Sequence, residues 1–213
     1  MRFHIGVLAA AFALLGCESD GFGFLRSAPQ SVQVARNSIT IAGPAGYCID
    51  RSAIRDTQDG AFVLLGSCAS LANDATQASP RITGALTASV SNKSGAEVSS
   101  SLRRLGAFFR SDQGRMALAR DGNGSSVTVL SARRSKDVFI LKLRDVSPNN
   151  VSDLAPVYWR ALFDIRGHIV TLSVHAFFNH PMRNSEGMAI LNEFVARVRR
   201  ENPALVDQAV DPV

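Results

Sequence analysis

Val157-Tyr158-Trp159-Arg160-Ala161-Leu162-Phe163-Asp164-Ile165-Arg166-Gly167-His168-Ile169-Val170-Thr171-Leu172-Ser173-Val174-His175-Ala176-Phe177-Phe178 is the stretch that decides the fold. Two alternating runs, 157–165 and 168–178, flank Arg166-Gly167, a two-residue hairpin signal in which glycine accepts the left-handed backbone the turn needs. That turn sets Trp159 opposite Val174, Ala161 opposite Leu172 and Phe163 opposite Val170, so that all six share one apolar face. A three-residue turn would set Trp159 opposite Ser173 and scramble that face. The shorter turn is therefore predicted. It also sets Tyr158 opposite His175 and Arg160 opposite Ser173 on the other face.

Downstream, Asn184-Ser185 reads as the N-cap of a terminal helix. Its stripe is Met188, Leu191, Val195 and Val198, widened by Ile190 and Phe194, and Asn202-Pro203 ends it. Upstream, strands are predicted at 127–132 and 138–146 around a basic turn, Arg133-Arg134-Ser135-Lys136. Before them the period becomes helical: Val98, Leu102, Leu105 and Phe109 align, while Arg103, Arg104 and Arg110 take other faces. Gly106 within that helix costs about 1 kcal/mol relative to alanine. In the first half, 38–41 alternates and stops at Gly43-Pro44-Ala45-Gly46. Residues 61–67 run apolar without a break, the mark of a buried central strand. Ile82, Leu86, Ala88 and Val90 alternate with polar residues as a half-buried strand. Runs of strands with segregated helices predict an α+β fold. The expected architecture is one domain over 34–203, a mainly antiparallel sheet with two packed helices, followed by a tail at 204–213.

The 213 residues are 46% hydrophobic and 19% charged, which excludes a disordered or collagen-like chain. The 23 Lys+Arg against 18 Asp+Glu are scattered, and so small and dispersed an excess does not point to nucleic acid. Arg2 and the apolar run 5–15 have the form of an export signal, about half the length a spanning helix needs.

Leu14-Leu15-Gly16-Cys17 follows, and it resembles the lipobox of bacterial lipoproteins. The resemblance implies removal of the signal peptide 1–16, lipid attachment at Cys17 and a membrane anchor, since two or three acyl chains anchor stably. Glu18 leaves membrane sorting open, with the periplasmic face of the outer membrane favoured over the inner membrane. Residues 17–33 read as lipidated cysteine and flexible tether. Cys48 and Cys68 remain, an even pair that reads as a disulfide in an oxidising compartment.

The order of elements is similar to the PsbP-like sandwich superfamily, shared by a photosystem extrinsic protein, a Ran-GTPase release factor and several bacterial lipoproteins. The likeness rests on the 158–178 hairpin with its helix, and implies accessory and interaction modules.

Chemistry is sparse. His168 and His175 have opposite strand parity, so with His180 they form no metal set, and no metal or other cofactor is implied. Asp121-Gly122-Asn123-Gly124-Ser125 begins like a calcium loop, but Ser126 and Ala132 stand where a glycine and a glutamate are needed. It reads as a strand-linking turn. No nucleophile elbow, phosphate loop or dinucleotide fingerprint is present, so no catalytic constellation emerges and the chain does not read as an enzyme. Tyr158, Arg160, Ser173 and His175 form the one polar constellation, a binding patch for an anion or a partner's carboxylate. The expectation is a lipid-anchored periplasmic accessory or binding lipoprotein with an envelope protein partner. The alternatives are a periplasmic small-molecule carrier and, behind it, a hydrolytic enzyme. The oligomeric state is not legible.

Overall fold

The structure is a computed structural model and describes residues 27–93, 98–148 and 153–204. The hairpin forms in the predicted register. Strand β9 (Leu154–Ile165) and strand β10 (His168–Phe177) pair antiparallel, with Trp159 opposite Val174, Ala161 opposite Leu172 and Phe163 opposite Val170. All six are at most 2% exposed. Arg166 and Gly167 both take positive φ, 51° and 79°, as the two-residue turn requires.

The fold is α+β, a single domain. Its earlier strands are β1 (Ser31–Val34), β2 (Ile39–Ala42), β3 (Tyr47–Ile49), β4 (Arg55–Thr57), β5 (Gly60–Ser67) and β6 (Ala85–Lys93). Strands β7 (Val127–Ser135) and β8 (Val138–Asp145) precede the hairpin. The helices are α1 (Cys68–Ala72), α2 (Val98–Phe108), α3 (Asp112–Leu118) and α4 (Asn184–Glu201). An eight-stranded antiparallel sheet runs β3-β5-β6-β10-β9-β8-β7, with β4 sharing the β5 edge, and β1 and β2 form a separate hairpin.

The strand alternation makes two cores. On one face α4 packs across β2, β9 and β10, enclosing Trp159, Phe163, Leu172, Leu191, Phe194 and Val198. On the other, α2 covers β7, β8 and β9, enclosing Val98, Phe109, Phe139, Leu141, Leu143 and Tyr158. The predicted stripe Val98, Leu102, Leu105 and Phe109 is the one that α2 and its following turn bury or half-bury. The first two backbone N–H groups of α2 are capped from another element: Asp164 of β9 accepts from Val98 N and Ser99 N, both at 2.9 Å.

Helix α4 is seated by its glycine. A Cβ on Gly187 would lie 2.4 Å from two indole carbons of Trp159, so only glycine lets the helix rest on that ring. Asn184, expected as N-cap, instead accepts the Trp159 indole N–H at 3.1 Å. The cap residue is Arg183, whose backbone N–H donates to the Glu186 carboxylate at 2.7 Å, closing the first turn. At the far end Asn202 does more than stop the helix. Its amide donates to Thr40 O at 2.7 Å and accepts from Thr40 N at 2.8 Å, acting as a strand partner for β2.

Other expectations are corrected. The domain begins before residue 34: β1 starts at Ser31, and Pro29 O and Gln30 O already accept from Ile49 N and Gly43 N, so residues 29–33 belong to the fold. Strand β5 is not buried on both faces; Ala61, Val63 and Leu65 are buried while Phe62 and Leu64 are half-buried. Arg133 and Arg134 lie within β7, and the turn sits at Lys136-Asp137, because charged side chains are tolerated on an edge strand. Helices α1 and α3 were not anticipated, being five and seven residues long and too short to show a period.

Cys48 and Cys68 form a disulfide, 20 residues apart in sequence with Cα atoms 4.8 Å apart. It ties β3 to the start of α1. Opening it with reductant, or in Cys68→Ser, is expected to cost about 3 kcal/mol in the chain-entropy picture, read as a lower denaturant midpoint. Gly187→Ala is expected to lower stability by about 1–2 kcal/mol, overpacking against Trp159 outweighing the gain in helix propensity. A raised melting temperature in that variant would contradict the packing described.

Candidate functional site

On the α2 side of the hairpin, strand parity brings the four predicted residues together. Tyr158 stands opposite His175 and Arg160 opposite Ser173. The Tyr158 and His175 rings stack with centroids 4.7 Å apart and planes 20° apart. Arg160 Nε donates to Ser173 Oγ at 3.0 Å, and its guanidinium carbon lies 5.2 Å from the Tyr158 ring centroid. Three of the four are interior: Tyr158, Ser173 and His175 are 4%, 1% and 9% exposed. Arg160 is half-buried and is the member that meets solvent. The patch is therefore contiguous as expected, but a partner would meet it through one guanidinium rather than four open groups.

Two further residues belong to the cluster. Arg120 Nε pairs with Asp145 Oδ2 at 3.2 Å, and its Nη2 donates to the carbonyl oxygens of Asp145 and Ser147. The other Asp145 oxygen accepts from Ser147 N at 2.8 Å. Asp145 is 1% exposed, so its charge is held by these partners. The sequence carried a signal for it: Asp145 shares the inward parity of Phe139, Leu141 and Leu143 on β8. Arg120 had none, since it reaches the cluster from the loop after α3.

Burial dominates the electrostatics. It pushes the His175 pKa down to about 3, helped by the positive charges of Arg160 and Arg120 and opposed by Asp145. Burial also raises the Tyr158 hydroxyl above its ordinary value. His175 is thus neutral near pH 7 and a weak base, unsuited to general-base work. With two guanidiniums against one carboxylate, the cluster suits reception of a negative group at Arg160.

Around it, among the described residues, no helix packs closely on part of the same sheet face. Helix α2 covers β7 to β9, while Phe62, Leu64, Thr87, Ile169 and Thr171 are half-buried and Ser89 is exposed. A shallow groove of about 490 Å³ runs there, lined by Phe62, Ser89, Ile169 and Thr171 among others. A second cleft of about 520 Å³ lies beside the start of α4, lined by Tyr47, Ile82 and Ile190. Burial and Glu193 raise the Tyr47 hydroxyl to about 12, and it donates to Ile82 O at 2.7 Å.

The remaining candidates resolve simply. His168 and His175 lie on opposite faces by strand parity, and among the described residues no three His, Cys, Asp or Glu side chains gather. In the calcium-like segment the oxygens cap turns: Asp121 accepts from Asn123 N and Ser126 Oγ, and Asn123 from Ser125 N and Oγ. Cys17 lies outside the described residues.

No family model matches the chain, and no curated protein does. Among solved structures, the chain is similar to the Saccharomyces cerevisiae Ran-binding protein Mog1p at 11% identity and a TM-score of 0.41. That similarity covers 81% of this chain and 90% of the yeast chain.

The His175 shift has a measurable consequence. A histidine whose folded pKa is depressed contributes stability above its unfolded pKa, 6.5, and loses it as pH falls toward 3. Unfolding free energy is expected to drop by about 2 kcal/mol between pH 7 and pH 5, by about 1.4 kcal/mol per pH unit once below the unfolded pKa. His175→Gln should flatten that slope; equal urea midpoints at the two pH values in the unsubstituted protein would contradict the assignment.

Proposed function

We propose that this protein is a lipid-anchored binding module of a bacterial cell envelope, held at the membrane through Cys17 and receiving an acidic group of an envelope protein partner at Arg160. The observation that carries the binding part is the posture of Arg160. Ser173 holds its Nε and Tyr158 lies beneath it, so its orientation is fixed before a partner arrives. Its position beside a part of the sheet face that no described helix covers closely supports a protein surface as the occupant. The disulfide supports export, because such bonds persist in oxidising compartments. Helices on both faces of an antiparallel sheet support the reading as a PsbP-like sandwich.

The anchor is tested by the intact mass of membrane-extracted protein. The expected mass is that of residues 17–213 plus acyl chains, rising by two hydrogens on reduction. A retained Met1 would overturn the localisation. The surface is tested by photo-crosslinking from Thr171 in the living envelope. Arg160→Ala is expected to cut the yield of one consistent adduct about tenfold while the melting temperature changes little; an unchanged yield would remove Arg160 from the interface.

A further inference from the structure

Three turns, the end of β6 and the end of α4 come together at one end of the main sheet. The β9–β10 turn lies there with Arg166, and Lys93, the last residue of β6, stands opposite His168 just after that turn. The β7–β8 turn lies at the same end, since Phe139 near the start of β8 pairs with Leu162 near the end of β9. Arg166 ties in two more segments. Its Nη1 donates to Ser38 O in the β1–β2 turn at 2.9 Å, and its Nη2 donates to Pro203 O beyond α4 at 3.1 Å. Arg199, in the last turn of α4, meets Asp137 of the β7–β8 turn at 2.7 Å.

Each of these segments brings a cation to that end. Arg36 lies in the β1–β2 turn, Lys93 ends β6, Lys136 lies in the β7–β8 turn and Arg200 in the last turn of α4, and all four are exposed. Among the described residues none of the four makes an ion pair. The carboxylates nearby are largely engaged. Arg199 holds Asp137, Arg197 holds Glu201, the first turn of α2 holds Asp164, and Asp56 accepts from Ala35 N at 3.2 Å. Among the described residues, Asp59, exposed in the β4–β5 turn, is left to oppose the four cations.

The same turns hold none of the exposed large hydrophobic side chains of the described residues. A protein interface is centred on apolar or aromatic anchors, and single-stranded nucleic acid stacks on aromatic platforms. Cations spread over several turns without either feature suit a plane of negative headgroups, where each cation adds attraction without a shared ligand geometry.

We propose that this end of the sheet docks on an anionic lipid surface, with phosphate-bearing headgroups meeting Arg36, Lys93, Lys136 and Arg200. The proposal rests on the anchor at Cys17. The described chain begins at Ser27, beside Ile49 and Asp50. Extended, the ten residues 17–26 reach about 33 Å, about the length of the ten-residue β10, so the anchor and the turns can share one membrane plane. The strands then stand on the membrane, and Arg160, part-way along β9, is held clear of the headgroups for its partner.

Lysine footprinting of the full lipidated chain in vesicles tests this, because its three lysines report separately. Lys93 and Lys136 lie at the docking end, and Lys142 sits on β8 with its Nζ over the Trp159 ring. Vesicles of phosphatidylcholine are compared with vesicles in which about a third of the lipid is phosphatidylglycerol. Acetylation of Lys93 and Lys136, relative to Lys142, is expected to fall about tenfold in the anionic vesicles and to recover as salt is raised. Arg36→Glu with Arg200→Glu is expected to reduce that protection to about threefold with the melting temperature retained. Equal relative labelling in the two vesicles, or protection untouched by the double substitution, would overturn the proposal. Equal protection by soluble polyglutamate added to the neutral vesicles would overturn it too, assigning this end to an acidic polypeptide. An intact mass without acyl chains counts against the anchor alone, and the same labelling of that chain mixed with the two vesicles still decides the docking end.

Discussion

The contact between the Trp159 indole and Gly187 sets the rest of the molecule. Trp159 is 2% exposed in the middle of the sheet, and α4 reaches it only because Gly187 has no side chain. Asn184 takes the indole N–H in the same turn of helix, so ring and helix are fixed in position as well as packed. From there α4 extends to Asn202, which completes the hydrogen bonding of Thr40 and draws the β1–β2 hairpin onto the same core. Once Trp159 faces α4, period-two alternation leaves no choice for its neighbours. Tyr158, Arg160 and Asp164 must face α2, where Asp164 caps the first turn of that helix.

The two faces then differ in character. The α4 face is a wide apolar core that runs across the sheet from Ile49 to Val138. The α2 face has its buried apolar core over β7 to β9, and at its margin stands the polar cluster of Arg120, Asp145, Tyr158, Arg160, Ser173 and His175. Buried polar groups persist where they are paired, and here the pairs span four segments of chain. Among the described residues, α4 spans one sheet face and α2 covers only part of the other.

Much of this was legible because it is written in parity and period. The hairpin register followed from requiring Trp159, Ala161 and Phe163 to share a face with Val174, Leu172 and Val170, and the stripe of α2 followed from its spacing. What escaped depends on contacts distant in sequence. Asn184 looks like a cap until the indole that claims its oxygen is known. Arg120 meets Asp145 across 25 positions, with no local trace. The burial of His175 follows from its neighbours on α2's side, not from its own strand. Short elements escaped too: β1 alternates over only four residues, and α1 and α3 complete barely one or two turns.

The seating of α4 over Trp159 fixes which face each side chain of the β9–β10 hairpin takes. Nuclear Overhauser contacts in the labelled protein test it directly. Cross-peaks from the Trp159 ring protons to Gly187 Hα, with that Hα shifted upfield by the ring current and the indole N–H slow to exchange, are the predicted result. A freely exchanging indole N–H with no contact to Gly187 would contradict the packing and, with it, the assignment of Arg160 and His175 to the opposite face.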